Sequence, residues 1–279
     1  MRIEVVADVD AFAAAAGDLL ASDEANHTTL LSTLQGARRA TARGEALPDG
    51  WHAALVRDAD AVVACARRWR GAWMLSTGPA AALQALGRWA ATCGGFDAFV
   101  GPESAVRAFE DGAGMPARTH MELPLMRLAG EPLQPRGVRG TLRPATAVDL
   151  PVLLAWTEAF RVEARINLTA EQIAADLQRP GRLEMQSLWI DDVGQPVGMI
   201  GGQTIAPTGA RVGPVYTPPA LRGCGIGGAM VAALSQQLLA DGARCVFLFT
   251  DASNPTSNAL YQRIGYVPIG RHLHRVLHR

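Results

Sequence analysis

The stretch Thr217–Met230, TPPALRGCGIGGAM, constrains this chain more than any other. Four glycines fall within the six residues Gly223–Gly228, between a pair of prolines and an apolar run. Pro218 and Pro219 cannot continue a strand ladder, whereas Met230, Leu234 and Leu238 recur on one helical face. The cluster therefore marks the place where a strand ends and a helix begins. Residues without a Cβ at such a junction let successive N–H groups line one concavity beside the positive end of a helix, which suits a phosphate.

The spacing narrows which phosphate. Gly223, Gly225 and Gly228 spell G-x-G-x-x-G, and Asp251 follows at the end of the next strand, which on paper is a dinucleotide fingerprint. Against it, the residues PPALR separate the strand from the first glycine. Too little chain also follows Asp251 for the further β-α units that fold requires. A nucleotide-binding P-loop fails outright: all 26 basic residues are Arg, so no lysine exists to complete it.

The same residues also read as R-x-x-G-x-G, carried by Arg222, Gly225 and Gly227. Just upstream lies VYTPP, and downstream lies NPTSNALYQRIGY, with Asn254, Ser257, Tyr261, Gly265 and Tyr266. In these three motifs, in this order, the chain resembles the GNAT superfamily of N-acetyltransferases; Ser257 stands where Ala is commoner. The resemblance covers residues 140–279. It implies that Arg222, Gly223, Cys224, Gly225, Ile226, Gly227 and Gly228 hold the diphosphate of acetyl-CoA, the expected cosubstrate. It implies that Val215, Tyr216 and Thr217 present backbone to the pantetheine arm and the acetyl carbonyl. Asn254 and Ser257 would complete the cofactor site, with Val215 and Tyr261 as catalytic groups: the Val215 N–H polarising the carbonyl and Tyr261 protonating the departing thiolate. Glu158 and Glu163, near the end of an amphipathic helix, are candidate bases, with a solvated helix face as the plainer alternative. The plainer alternatives are a core tyrosine for Tyr261 and helix caps for Asn254 and Asn258.

Patterning outside the motifs sets the organisation. AGEPLQPRGV, residues 129–138, has two prolines, two glycines and no periodicity, and reads as a linker. After it the expected order is β α β β β α β α β, with Asp149 capping the first helix and CVFLFTD as a strand covered on both faces. Residues 1–128 repeat that grammar loosely, with helices at FAAAAGDLL and PAAALQALGRWAATCG, a strand hairpin between them, and then FDAFVG, ESAVRAFEDGAG and RTHMELPLMRL. The expectation is an α/β protein of two tandem GNAT-like domains, 1–128 and 139–279, each a mixed, mostly antiparallel sheet flanked by helices. The first would be a degenerate copy, because STGPAAALQ stands where the glycine loop belongs.

Several classes are excluded by composition. A net charge of zero attracts neither nucleic acid nor an anionic membrane, so neither is an expected partner. No apolar run approaches the roughly 18 residues of a membrane helix, and MRIEVVADVD lacks a signal-peptide core, so a cytoplasmic protein is expected. Cys65, Cys93, Cys224 and Cys245 are too scattered for a metal site and read as buried or semi-buried free thiols. His272 and His274 alternate on one face of the last strand, expected to be solvated. No metal is expected. The acceptor would be a small-molecule or peptide amine, and the protein a monomer or homodimer. The rival from another class is a non-catalytic acyl-CoA sensor that keeps the glycine loop without turnover.

Overall fold

In the computed structural model, which describes residues 1–47, 50–166, 168–205 and 208–278, both parts of the chain run through the same ten elements. The first part comprises β1 (Arg2–Val5), α1 (Val9–Ser22), α2 (Thr28–Ala42), β2 (Ala53–Asp58), β3 (Ala61–Trp69), β4 (Ala72–Leu75), α3 (Ala80–Cys93), β5 (Ala98–Pro102), α4 (Glu103–Ala113) and β6 (Ala117–Leu128). The second comprises β7 (Thr141–Pro144), α5 (Leu150–Glu163), α6 (Ala170–Leu177), β8 (Gln186–Ile190), β9 (Pro196–Thr204), β10 (Gly209–Tyr216), α7 (Ile226–Ala240), β11 (Cys245–Phe249), α8 (Pro255–Ile264) and β12 (Tyr266–Leu277). The repeated grammar expected from the sequence is thus an identical element order.

All the strands join one twelve-stranded sheet in the order β1-β2-β3-β4-β5-β12-β6-β11-β10-β9-β8-β7. The two last strands are exchanged. β12 pairs with β5 and β6, both of the first part, while β6 pairs with β11 and β12, both of the second. The sheet is mixed: β4 runs parallel to β5 and β10 parallel to β11, and the other pairings are antiparallel.

Alternation along the strands sorts the cores. Met126, Val246 and Leu248 face a cluster with Met230, Leu234 and Ile264 of α7 and α8. Their neighbours Leu125 and Phe247 face Leu31 of α2 instead. Met199 and Tyr216 meet Leu153 of α5 on that second face. Leu153 is the only α5 residue fully buried, so it anchors the helix; its truncation to Ala should cost roughly 2–5 kcal/mol.

Several expectations need correction. The 51–78 region is a three-strand meander rather than a hairpin, and α2 and α6 had no expected counterpart. Asp149 stands at the N-cap position of α5 as expected, but its side chain makes no cap hydrogen bond to the helix. Its carboxylate accepts from the Thr146 N–H and takes two bonds from Arg143 at 2.7 and 2.8 Å, which drives its pKa well below the usual carboxylate value. The face carrying His272 is covered, not solvated: His272 is 1% exposed and packs at a tilt against Phe249, because α2 and the α1–α2 turn close over the exchanged strands. Cys93 and Cys224 are exposed, Cys245 is half-buried and only Cys65 is fully buried. The linker segment packs on the second part, where Leu133 N–H donates to the Ile264 carbonyl at 2.8 Å.

Candidate functional site

β10 and β11 stay paired only through Arg211↔Phe247. Beyond it, β11 follows β6, and Thr250 and Ala252 donate to the carbonyls of Pro124 and Glu122. β10 meanwhile stays with β9, through a register shift between Val212 and Val215. The sheet therefore opens into a wedge, with Val212–Tyr216 along one side and no β11 partner opposite. Val215 lies on this free edge, half-buried; Tyr216 buries its ring against the α5 side, so only its backbone faces the wedge.

The glycine loop closes one end of the wedge. Nine residues connect β10 to α7, and their bend requires glycine: Gly223 and Gly225 adopt φ of 80° and 82°. Gly225 is the N-cap of α7, which has no side-chain cap and no acidic residue in its first turn. The first N–H groups of this helix consequently lack intrahelical partners, an arrangement suited to an anion. Space is uneven around the loop. A Cβ on Gly223 would meet nothing, and one on Gly227 would sit 3.5 Å from Leu260 and 3.8 Å from Thr217, within the gap between loop and α8. Gly228 is different: it is buried, and a Cβ there would meet Pro135 of the linker segment at 3.1 Å. Ile226 is half-buried against the α7 core, and Cys224 is exposed.

Arg222 is already engaged. Its Nε donates to the Thr217 carbonyl at 2.9 Å and its Nη2 reaches both Glu163 oxygens at 2.8 Å, while the guanidinium lies 5.6 Å from the Tyr216 ring. Glu163 thus ties the end of α5 to the loop. Glu158 pairs with Arg161 at 2.7 Å, which holds its carboxyl below the usual value. Neither carboxylate is free to act as a base without breaking an ion pair.

α8 lines the opposite side. Asn254 caps it by accepting from the Ser257 N–H at 3.0 Å, and Asn258 donates to the Asp251 carbonyl. Tyr261 lies buried one turn on, its ring 6.2 Å from that of Tyr266. The Tyr266 hydroxyl is satisfied by Ser235 at 2.7 Å, whereas the Tyr261 hydroxyl makes no hydrogen bond among the described residues. Burial pushes the Tyr261 phenol up to about 12.

The equivalent place in the first part is shut. Only four residues join β4 to α3, and a Cβ on Gly78 would strike the Val63 carbonyl at 2.5 Å. Ser76 Oγ accepts from the Cys65 N–H, and the His27 imidazole accepts from the Thr77 N–H at 3.0 Å. The chain's own groups consume the donors a phosphate would need.

The beginning of β6 and the turn after α5 escape the motif reading altogether. β6 contributes Arg118–Glu122 beside Asp251 and Arg165, at the mouth of the wedge, and no motif marks them. The exchange of last strands that brings them there leaves no signature in local sequence.

Residues 153–266 match the model of the Acetyltransferase (GNAT) family. No curated protein matches the chain. Among solved structures, a GCN5-related N-acetyltransferase from Sphaerobacter thermophilus shares 22% identity at a TM-score of 0.62, covering 98% of this chain and 94% of that one. A Drosophila protein superposes at 0.67 with 13% identity over 99% and 98%. A tandem GNAT protein from the clavulanic acid biosynthesis pathway superposes at 0.57 with 14% identity over 98% of both chains.

Proposed function

We propose that this chain, whose residues 153–266 match the acetyltransferase (GNAT) family, moves the acetyl group of acetyl-CoA directly to a primary amine. The observation that carries the reading is the wedge between β10 and β11, with an uncapped helix N-terminus at one end and a protonated, unpartnered Tyr261 hydroxyl on its α8 side. Acetyl-CoA would lie with its diphosphate on the N–H groups that open α7, facing Gly223 and Gly227. Its thioester would sit in the wedge beside Val215.

In this arrangement the residues of the chain divide the work. The Val215 N–H stabilises negative charge on the carbonyl oxygen as the amine attacks. Tyr261 offers its hydroxyl to the sulfur as the carbon–sulfur bond breaks. Arg222 exchanges Glu163 for the diphosphate. The core around Tyr261 excludes water from the leaving group.

The reading is tested with two measurements on the whole protein: an isotherm for CoA and thiol release from acetyl-CoA across amino acids, polyamines and aminoglycosides. One equivalent of CoA with amine-dependent thiol release is expected. Binding without turnover on any amine would favour the acyl-CoA sensor, and two equivalents would mean that the first part also binds.

A further inference from the structure

A cavity of about 640 Å³ opens at the mouth of the wedge, lined by Arg118, His120 and Glu122 of β6, Arg165 after α5, and Asp251 and Ser253 after β11. Both parts of the chain build it. Glu163 holds the end of α5 to the glycine loop while, two residues on, Arg165 borders this cavity. The end of α5 thus borders both the glycine loop and this cavity.

Two backbone irregularities converge here. In the β6–β12 ladder, His274 pairs with Met121 and Arg275 with Thr119, so His120 is the extra residue of a bulge. Arg165 has φ of 52°, a left-handed conformation that non-glycine residues seldom adopt. The two are joined, since the His120 Nε2–H donates to the Arg165 carbonyl at 3.2 Å. Bulges and strained residues of this kind concentrate where a side chain must be aimed.

The charges tell what the cavity would take. Glu122 is neutralised by Arg271 at 2.8 Å. The Asp251 carboxylate accepts from the Ser253 backbone and hydroxyl and has no ion-pair partner among the described residues. Arg118 and Arg165 make no side-chain hydrogen bond or ion pair among the described residues, although most arginines of this chain that border a carboxylate are paired. Two guanidinium groups and one carboxylate, each without an ion-pair partner among the described residues, line the same cavity. That complement fits a ligand with an ammonium for Asp251 and an anionic group for the arginines.

We propose that this cavity is the acceptor site and that it selects an amine bearing a carboxylate or phosphate, held by Arg118 and Arg165. The proposal rests on the acyl-transfer reading above. The test uses matched probes on the whole protein: alanine against alaninamide, glutamate against its diamide, and O-phosphoethanolamine against ethanolamine. At least one anionic member should exceed its uncharged partner roughly tenfold or more in kcat/KM, the scale of a hydrogen-bonded charge contact. Carboxylate and phosphate pairs tell the two anion sources apart. Arg118→Gln and Arg165→Gln should each raise KM for the preferred probe and erase the preference while leaving CoA affinity unchanged. Equal or better turnover of the uncharged partners, or a preference that survives both substitutions, would overturn the proposal and leave acetyl transfer standing. If no probe turns over, binding of the same anionic amines to the CoA complex decides: binding lost in the arginine variants upholds the site and sinks the transfer reading, and absence of binding sinks both.

Discussion

Replacing Tyr261 with Phe separates its proposed role from a packing role. At pH 7 the hydroxyl stays protonated, because burial raises its pKa to about 12. A thiol such as that of CoA has a pKa of about 8.5. Full transfer from Tyr261 to the thiolate would then be uphill by about 3.5 pKa units, close to 5 kcal/mol at 1.36 kcal/mol each. Tyr261 should therefore stabilise the sulfur as a hydrogen-bond donor rather than deliver its proton outright. A hydrogen bond to a charged group contributes about 1.5–3 kcal/mol, which predicts a loss of roughly 10- to 150-fold in kcat. Stability should barely move: the ring contact with Tyr266 is kept, and no hydrogen bond among the described residues is lost. Stopped assays of thiol release give kcat, an isotherm gives CoA affinity, and thermal melting gives stability. Wild-type kcat in a well-folded Tyr261→Phe protein would remove the tyrosine from the mechanism.

Gly227→Val should keep or raise the melting temperature, since its Cβ meets only ordinary contacts, yet lose CoA affinity; Gly225→Val should also cost about 1–2 kcal/mol of stability, because φ is 82° and Val138 lies 2.8 Å from the new Cβ. An unchanged CoA isotherm for Gly227→Val would refute the phosphate role of the loop. Glu163→Gln frees Arg222 from an exposed pair and should tighten CoA by up to about fivefold at low salt with kcat intact; a tenfold fall in kcat would make Glu163 the base after all. Residues 139–279 alone should fail to give a stable monomer in circular dichroism and gel filtration, because β11 and β12 lose β6 and β12 also loses β5; a cooperative melt of that fragment would refute the dependence. Burial pushes His272 down to about 3, from an ordinary 6.5, so it stays neutral when folded and takes up a proton only on unfolding. Stability should begin to fall as pH drops below 6.5, by about 2 kcal/mol at pH 5 from this group, and be fully lost only below its folded pKa. Urea melts of wild type and His272→Leu between pH 7.5 and 4.5 check this; equal slopes would refute it.

The glycine loop and the elements that flank it were legible because their determinants are local. Pro218 and Pro219 stop a strand, four glycines bend the loop, and Asn254 starts the facing helix, so residues within a window of about fifty positions fix one geometry. Helix α6 was legible in principle: Thr169 and Gln172 form a capping box, but the helix spans only eight residues and buries only Ile173 and Leu177. Helix α2 hides behind threonines of weak helical preference and shows its role only through Leu30, Leu34 and Ala37 against the sheet. The solvated reading of His272 failed for a different reason. Alternation tells which residues share a face but not what covers it, and the cover comes from residues some 240 positions away, Asn26 among them.

On the proposed reading, the strand exchange makes the first part a component of the site rather than a spare copy. Its own phosphate position is closed by Gly78, Ser76 and His27, so it has no open cradle to offer. What it does offer is β6, which covers the outer edge of β11 through Leu125–Arg127 and then overshoots the strand's end to carry Arg118, His120 and Glu122 to the wedge mouth. Cofactor contacts would therefore come from the second part alone and acceptor contacts from both parts, joined by the eleven-residue pairing of β6 with β12. Substitutions on β6 that leave this pairing intact should alter which amine is used without altering CoA affinity. Substitutions in the glycine loop should do the reverse. A β6 variant that weakens CoA binding as strongly as it weakens the acceptor would show that the two sites are not separable in this way.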